Sequence, residues 1–318
     1  MTIEAPPSAF RAFVALSVFS FARLWRVRQM GWVAVGLLAI LAAIVGVMSH
    51  GPIGWGLPER FSLRYQTRYG DYPQQLDRLQ MTPLPGDLSA VQMAAFAPFR
   101  AALADDKFLS DFAFLNFSRW VVFVMYLTFL LPLFTLAYAS AAVGAEREGR
   151  TLIWLTSRPL PRWAVYLAKF LGVLPWCLLA SAGGFAVLCV VGGELGRRAA
   201  VAYWPAVLAG TIGFSALFHL IGAVFRRPAV VGLVYVFFFE TLVANLPGSL
   251  KQLSLNYYVK SLLYNEAKSA VGTAVPEQLE VYAPTDPTSA WLVLIGAAVG
   301  LTLLGMAWFS RQEPQDEV

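Results

Sequence analysis

The sequence predicts an all-α polytopic membrane protein with six transmembrane helices, and three observations carry that reading. Of the 318 residues, 58% are hydrophobic and only 14% are charged, against about 25% charged in an average soluble domain. The apolar residues gather into six runs, each long enough to cross a hydrocarbon core of about 30 Å. No stretch alternates in the short segments that mark a transmembrane barrel.

The elements follow in chain order. In residues 1–30, Phe10, Phe13, Val14, Phe21, Leu24 and Trp25 recur at three- and four-residue steps, while Arg11, Arg23, Arg26 and Arg28 bring charge. That pattern reads as an amphipathic helix over 10–28 lying in the cytoplasmic interface. The six-span domain, 31–310, holds apolar runs at 31–48, 120–143, 164–192, 201–225, 229–246 and 290–309. The first run lacks a small-residue cleavage site and is long enough to stay in the membrane, so it reads as a span and not as a signal peptide. The third is long enough to tilt or to project past the bilayer.

The loop 49–119 opens irregularly with Gly51, Pro52, Gly54, Gly56 and Pro58 and breaks again at Pro83-Leu84-Pro85-Gly86. Within it, 88–103 and 108–117 look helical. A loop of this length is functional or a small folded cap. A second outer segment, 247–287, holds another expected helix around 249–269, and 311–318 is a short tail.

Six spans place both termini on one side. Arg11, Arg23, Arg26 and Arg28, then Arg147, Arg150, Arg158 and Arg162, then Arg226, Arg227 and Arg311 fall in short segments on that side. Basic residues on the other side are spread over long loops, where the positive-inside rule has little force. The N- and C-termini are therefore expected in the cytoplasm, with the chain in a bacterial inner membrane. This distribution also accounts for the formal charge of +5. It offers no basic face on a soluble module, so nucleic acid is not an expected partner. Cys177 and Cys189 lie in one run, about 18 Å apart along a helix and beyond disulfide reach.

No residues are expected to be catalytic, cofactor-binding or metal-ligating. The sequence contains no G-x-x-x-x-G-K-[ST] phosphate loop, no G-x-S-x-G elbow and no H-E-x-x-H helix. His50 and His219 are far apart and with two lone cysteines make no metal site. Two ionisable residues at membrane depth stand out, Glu240 and His219. For Glu240 a hydrogen bond to a neighbouring helix and a place on a transport path both stay open. For His219 a structural hydrogen bond is the expectation. Lys169 is expected to snorkel to the interface. Ala180–Gly184, Gly210, Gly213 and Gly296-x-x-x-Gly300 permit close helix contact.

The segment 144–163, GAEREGRTLIWLTSRPLPRW, is the densest in charge between two spans. Wound as a short helix over 145–156, it would show Glu148, Leu152 and Leu155 on one side. Ser157-Arg158-Pro159 would then end it, because a residue before proline is pushed out of the helical region. Such an element can dock into a partner's groove. Composition alone leaves open an ordinary charged loop anchored by aromatics.

This segment resembles the cytoplasmic connector of ABC-2 type permease subunits of ATP-binding-cassette transporters, E-x-x-x-G-T-L…L-x-S-R-P…R with a lysine in the next helix. The match runs through Glu146, Glu148-Gly149, Thr151-Leu152, Leu155, Ser157-Arg158-Pro159, Arg162 and Lys169. Arg150 separates Gly149 from Thr151, which the motif holds side by side. Phe225-Arg226-Arg227-Pro228 through Glu240 to Leu246-Pro247-Gly248 resembles the same family. The resemblance implies an exporter-like permease fold and one half of a transporter. Two such chains, as a homodimer or with a similar permease, would pair with separate ABC ATPase subunits that hold ATP and Mg. It further implies that Glu146, Arg147, Glu148, Gly149, Thr151, Leu152, Leu155, Arg158, Pro159 and Arg162 couple to the ATPase. Arg23, Trp25, Arg26 and Arg28 would belong to a connecting helix in the interface. The alternative is a non-transporting membrane anchor or regulatory subunit that binds another protein through its outer loop.

Overall fold

The structure, a computed structural model, describes residues 9–25, 28–50, 106–148, 160–243, 249–271 and 284–311. Among the described residues the chain is helical, with no strand. The helices are α1 (Ala9–Trp25), α2 (Arg28–His50), α3 (Asp106–Phe117), α4 (Leu131–Ala139), α5 (Ala141–Glu148), α6 (Arg162–Val191), α7 (Gly193–Val224), α8 (Pro228–Tyr235), α9 (Leu255–Val271) and α10 (Pro287–Arg311). Two segments are wound as π-helices, π1 (Ser118–Leu130) and π2 (Val236–Leu242).

Four helical stretches are long and apolar enough to cross a membrane: Ala113–Gly144, Arg162–Val191, Gly193–Val224 and Pro287–Arg311. Two shorter apolar helices, Val35–His50 and Pro228–Leu242, fall on the first and fifth expected runs. Self-satisfied helices are what a lipid environment demands, because an unpaired backbone group in hydrocarbon costs several kcal/mol.

Side-chain hydroxyls report how each stretch is wound. In the α-helices, Thr135, Thr211 and Thr302 each donate to the carbonyl four residues back, at 2.8 Å. In π1, Thr128 reaches five residues back to Phe123 O at 2.9 Å, and in π2 Thr241 reaches Val236 O at 3.3 Å. The wider i→i+5 turn is rare in proteins and is frequently found at functional sites.

Helix packing builds one large core around π1, α4, α6, α7 and α9, with Tyr126, Leu130, Phe214, Phe218 and Leu263 fully enclosed. α7 begins at Gly193, eight residues before the expected fourth run. Gly193 takes a left-handed φ of 62°, which glycine adopts without a Cβ penalty, so α6 reverses into α7 within one turn. The charged start of α7 is held by α3. Arg198 donates to Asp111 at 2.8 Å and stacks over the Phe114 ring at 4.7 Å.

The expected helix around 249–269 is present as a short 3₁₀ turn, Ser249–Leu253, followed by α9. It is more than an outer appendage. Asn256, Tyr257, Val259, Lys260, Ser261, Leu262 and Leu263 are all buried, so the first half of α9 is enclosed by the bundle. Thr285 ties α9 to the next span through Tyr257 and Ser261. Asp286 caps that span, accepting from the N–H groups of Thr288 and Ser289 with proline in the first helical position.

α1, expected in the interface, packs along α6. Ser17 and Ser20 meet Gly172, and one turn further Phe21 stacks on Trp176 at 5.1 Å while the indole N–H donates to Phe21 O at 3.0 Å. A Cβ on Gly172 would lie 2.6 Å from Ser17 O, a backbone atom that cannot rotate away. Gly172→Val is therefore expected to peel α1 from the bundle, costing about 1–3 kcal/mol. Limited proteolysis in α1 and a lowered melting temperature would register it, and parental values for both would refute the contact. The expected small-residue contacts divide: Gly210 meets Val259 of α9, whereas a Cβ on Gly213, Gly296 or Gly300 would meet nothing within 4 Å among the described residues.

Candidate functional site

The described ends of the segment 144–163 are the close of α5 at Glu148 and the start of α6 at Arg162. Glu146, Arg147 and Glu148 continue the helix of the preceding stretch as the last residues of α5. The helix expected over 145–156 thus begins as an extension of that stretch. Gly149, Thr151, Leu152, Leu155, Arg158 and Pro159 lie outside the described residues. The chain resumes at Leu160 and Pro161, where an extended backbone at Pro161 starts α6 at Arg162.

Both shores of the segment sit in a second apolar cluster, separate from the main core. Val143 of α5 and Leu160 join Leu16 of α1, Val165, Tyr166 and Ala168 of α6, Ala223 of α7 and Phe309 of α10. Five helices therefore share one small core at the base of the segment. Arg23 lies in the last turn of α1. Trp25 ends α1, Arg28 opens α2, and Arg26 falls outside the described residues.

Two polar residues stand behind this base. His219 is fully buried in α7, its ring nitrogens facing Ala139 O and Tyr166 O at 3.4 Å each. A neutral imidazole has one N–H, so it donates to one of these carbonyls at a time. Its ring packs 4.5 Å from that of Tyr166. Lys169 does not snorkel: it is fully buried, with Nζ 3.5 Å from Ala142 O. The reason is tertiary, since α1 and α5 both pack against this end of α6 and enclose the ammonium.

Glu240 sits in π2, near the opposite end of the bundle, and is also fully buried. One carboxylate oxygen accepts from Tyr235 OH at 2.7 Å. The other accepts from Ser254 Oγ–H at 2.5 Å and from the Asn256 N–H at 3.0 Å. Ser254 in turn accepts from the Tyr257 N–H at 3.2 Å, as an N-cap residue does. The carboxylate thus meets the positive end of α9, where a helix leaves N–H groups unpaired. Lys260 lies one turn along α9 from Asn256. Burial pushes its ammonium below the ordinary lysine range, and the Glu240 charge pulls the other way. Neither partner is legible beside Glu240 in the sequence: Tyr235 stands at a five-residue spacing that carries no signal in an α-helix, and Ser254 lies 14 residues on, beyond the apolar run.

Glu240 and the base of the segment 144–163 are thus separate places joined by long helices. Among the described residues no group of three or more His, Cys, Asp or Glu could hold a metal ion. Residues 22–313 match the family described as ABC-2 family transporter protein. The chain belongs to the ABC-2 transporter family. The match runs from the last turn of α1 through the whole of α10 and includes the charged segment. No match was found among the curated proteins. This ABC-2 protein is an integral membrane component of an ABC transporter, and its helical architecture is that of the family's permease part.

Proposed function

We propose that the chain is a six-span half of an exporter, pairing with a second permease chain and driven by a separate ABC ATPase that docks on 144–163. ATP and Mg belong to that ATPase. The termini and the docking segment face the cytoplasm, in a bacterial inner membrane. Glu146, Arg147, Glu148 and Arg162 would meet the ATPase together with the residues between them, and α1 would act as the connecting helix.

The observation that supports this most is the second apolar cluster. A force applied to the segment reaches Val143 and Leu160 first, and those two side chains share a core with α1, α7 and α10. Packed cores move as bodies and do not yield locally, so docking there can bias the whole bundle between two arrangements.

Crosslinking tests the reading. In the assembled complex, a cysteine introduced by Glu148→Cys is expected to crosslink to a co-expressed ATPase, while Ser269→Cys in α9 is not. An assembled complex without the first crosslink would remove the docking assignment. Charge reversal by Glu148→Arg is expected to lower the ATPase activity of the complex by about tenfold, the scale of one lost ion pair at a desolvated interface. Unchanged activity, with loss of function only on deleting 51–105, would favour a regulatory anchor.

A further inference from the structure

The bond between Tyr235 and Glu240 exists only because of how the fifth apolar helix is wound. In an α-helix, residues five apart project about 140° apart around the axis. A tyrosine and a glutamate at that spacing would face different neighbours. The π-turn brings them to one face, and Thr241 donating to Val236 O marks the same widened winding. The second oxygen of the same carboxylate holds the start of α9.

We infer that Glu240 is a positioning residue that couples the winding of the fifth helix to the seating of α9. Rewinding π2 as an α-helix would break the Tyr235 bond and carry the carboxylate around the axis, away from Ser254 and the Asn256 N–H. Conversely, lifting α9 removes the anchor that favours the π-turn. α9 also packs against π1, the widened part of the second span, which runs without interruption through α4 and α5 toward the charged segment. A change at that segment therefore has a continuous helical route to α9, and Glu240 passes it across to the fifth helix.

The seat itself is imperfect. The side-chain amide of Asn256 is fully buried and finds no hydrogen-bond partner at either atom among the described residues. Unmet polar groups of this kind are rare in native interiors and raise the energy of the arrangement that contains them. The Glu240 carboxylate holds the start of α9 in its seat against this cost. This inference rests on the permease reading only in its last step, the link to the ATPase.

The test uses the full chain in lipid nanodiscs, with Cys177→Ala and Cys189→Ala and a single reporter, Ser261→Cys, on the buried face of α9. The reporter's labelling rate with a membrane-impermeant maleimide measures how often α9 leaves its seat. Tyr235→Phe, Glu240→Gln and Ser254→Ala are each expected to raise the rate about tenfold, as loss of a hydrogen bond to a charged group does. Tyr235→Phe is the deciding variant. It keeps the ring and the fold, and among the described residues the hydroxyl it removes bonds to the carboxylate alone. Acceleration by Ser254→Ala with a parental rate for Tyr235→Phe would reduce Glu240 to a cap on α9 and overturn the coupling. Parental rates for all three would overturn it equally. Adding the partner ATPase with ATP and vanadate is expected to change the parental rate but not that of Glu240→Gln. If nucleotide does nothing while Tyr235→Phe still accelerates labelling, the coupling stands and the ATPase-driven reading falls.

Discussion

Gly222→Leu is expected to cost about 3 kcal/mol of stability, at the upper end of what overpacking a tight contact produces. Gly222 lies in α7, where it passes the junction of α4 and α5. A Cβ there would sit 2.8 Å from Ser140 O and 3.2 Å from Ser140 Cα. Both are backbone atoms, and Ser140 is itself fixed by its Oγ–H donating to Leu136 O at 2.6 Å. No rotamer change can make room, so α7 must separate from the helix that carries the charged segment. His219, one turn away on α7, would lose its approach to Ala139 O in the same movement. Gly296→Leu provides the comparison, since a Cβ at that position meets nothing within 4 Å among the described residues. Thermal unfolding in detergent should separate the two substitutions by many degrees. Equal melting temperatures would mean that the α7 contact does not constrain the fold.

The second large effect is expected at the other end of the bundle. Arg198→Leu should destabilise the chain by about 2 kcal/mol, less than the 3–5 kcal/mol typical of a wholly buried pair because the arginine keeps some solvent. Asp111 would be left with a carboxylate only 10% exposed, while Arg198 itself is 30% exposed. The same guanidinium covers the Phe114 ring, so its cation–π contact is lost as well. What loosens is α3, the one described helix from the loop 49–119, where it joins the start of α7. Replacing both residues by leucine should recover most of the loss. A double-mutant cycle by chemical unfolding checks this, and strict additivity would show that the two charges do not interact.

These two sites differ in how far the sequence exposes them. Arg198 lies in a run of charge just before an apolar stretch, and Asp111 in a stretch that reads as helical, yet no pattern joins residues 87 positions apart. Gly222 carries even less signal. The motifs that invite attention, Gly296 and Gly300, meet nothing within 4 Å among the described residues, whereas Gly222 and Gly172 press on the backbone of other helices without any repeated spacing. Lys169 shows the same gap from the other direction. Its place near the end of an apolar run suggests snorkelling, and only the packing of α1 and α5 against α6 reveals that it is enclosed.

The sequence by itself determined the class, the positions of the apolar helices, the family and two of the fully buried ionisable residues, Glu240 and His219. Those follow from composition and local run length, because lipid rewards any stretch that is apolar for long enough and pairs its own backbone groups. Tertiary structure alone decided that the first half of α9 is buried, that two stretches are π-wound and that Tyr235 meets Glu240. A π-turn shifts every following side chain around the axis, so the faces read at a spacing of 3.6 are no longer the faces that touch. Glu240 could be noticed from its sequence neighbours, but its partners belong to a different winding and to a helix 14 residues further on.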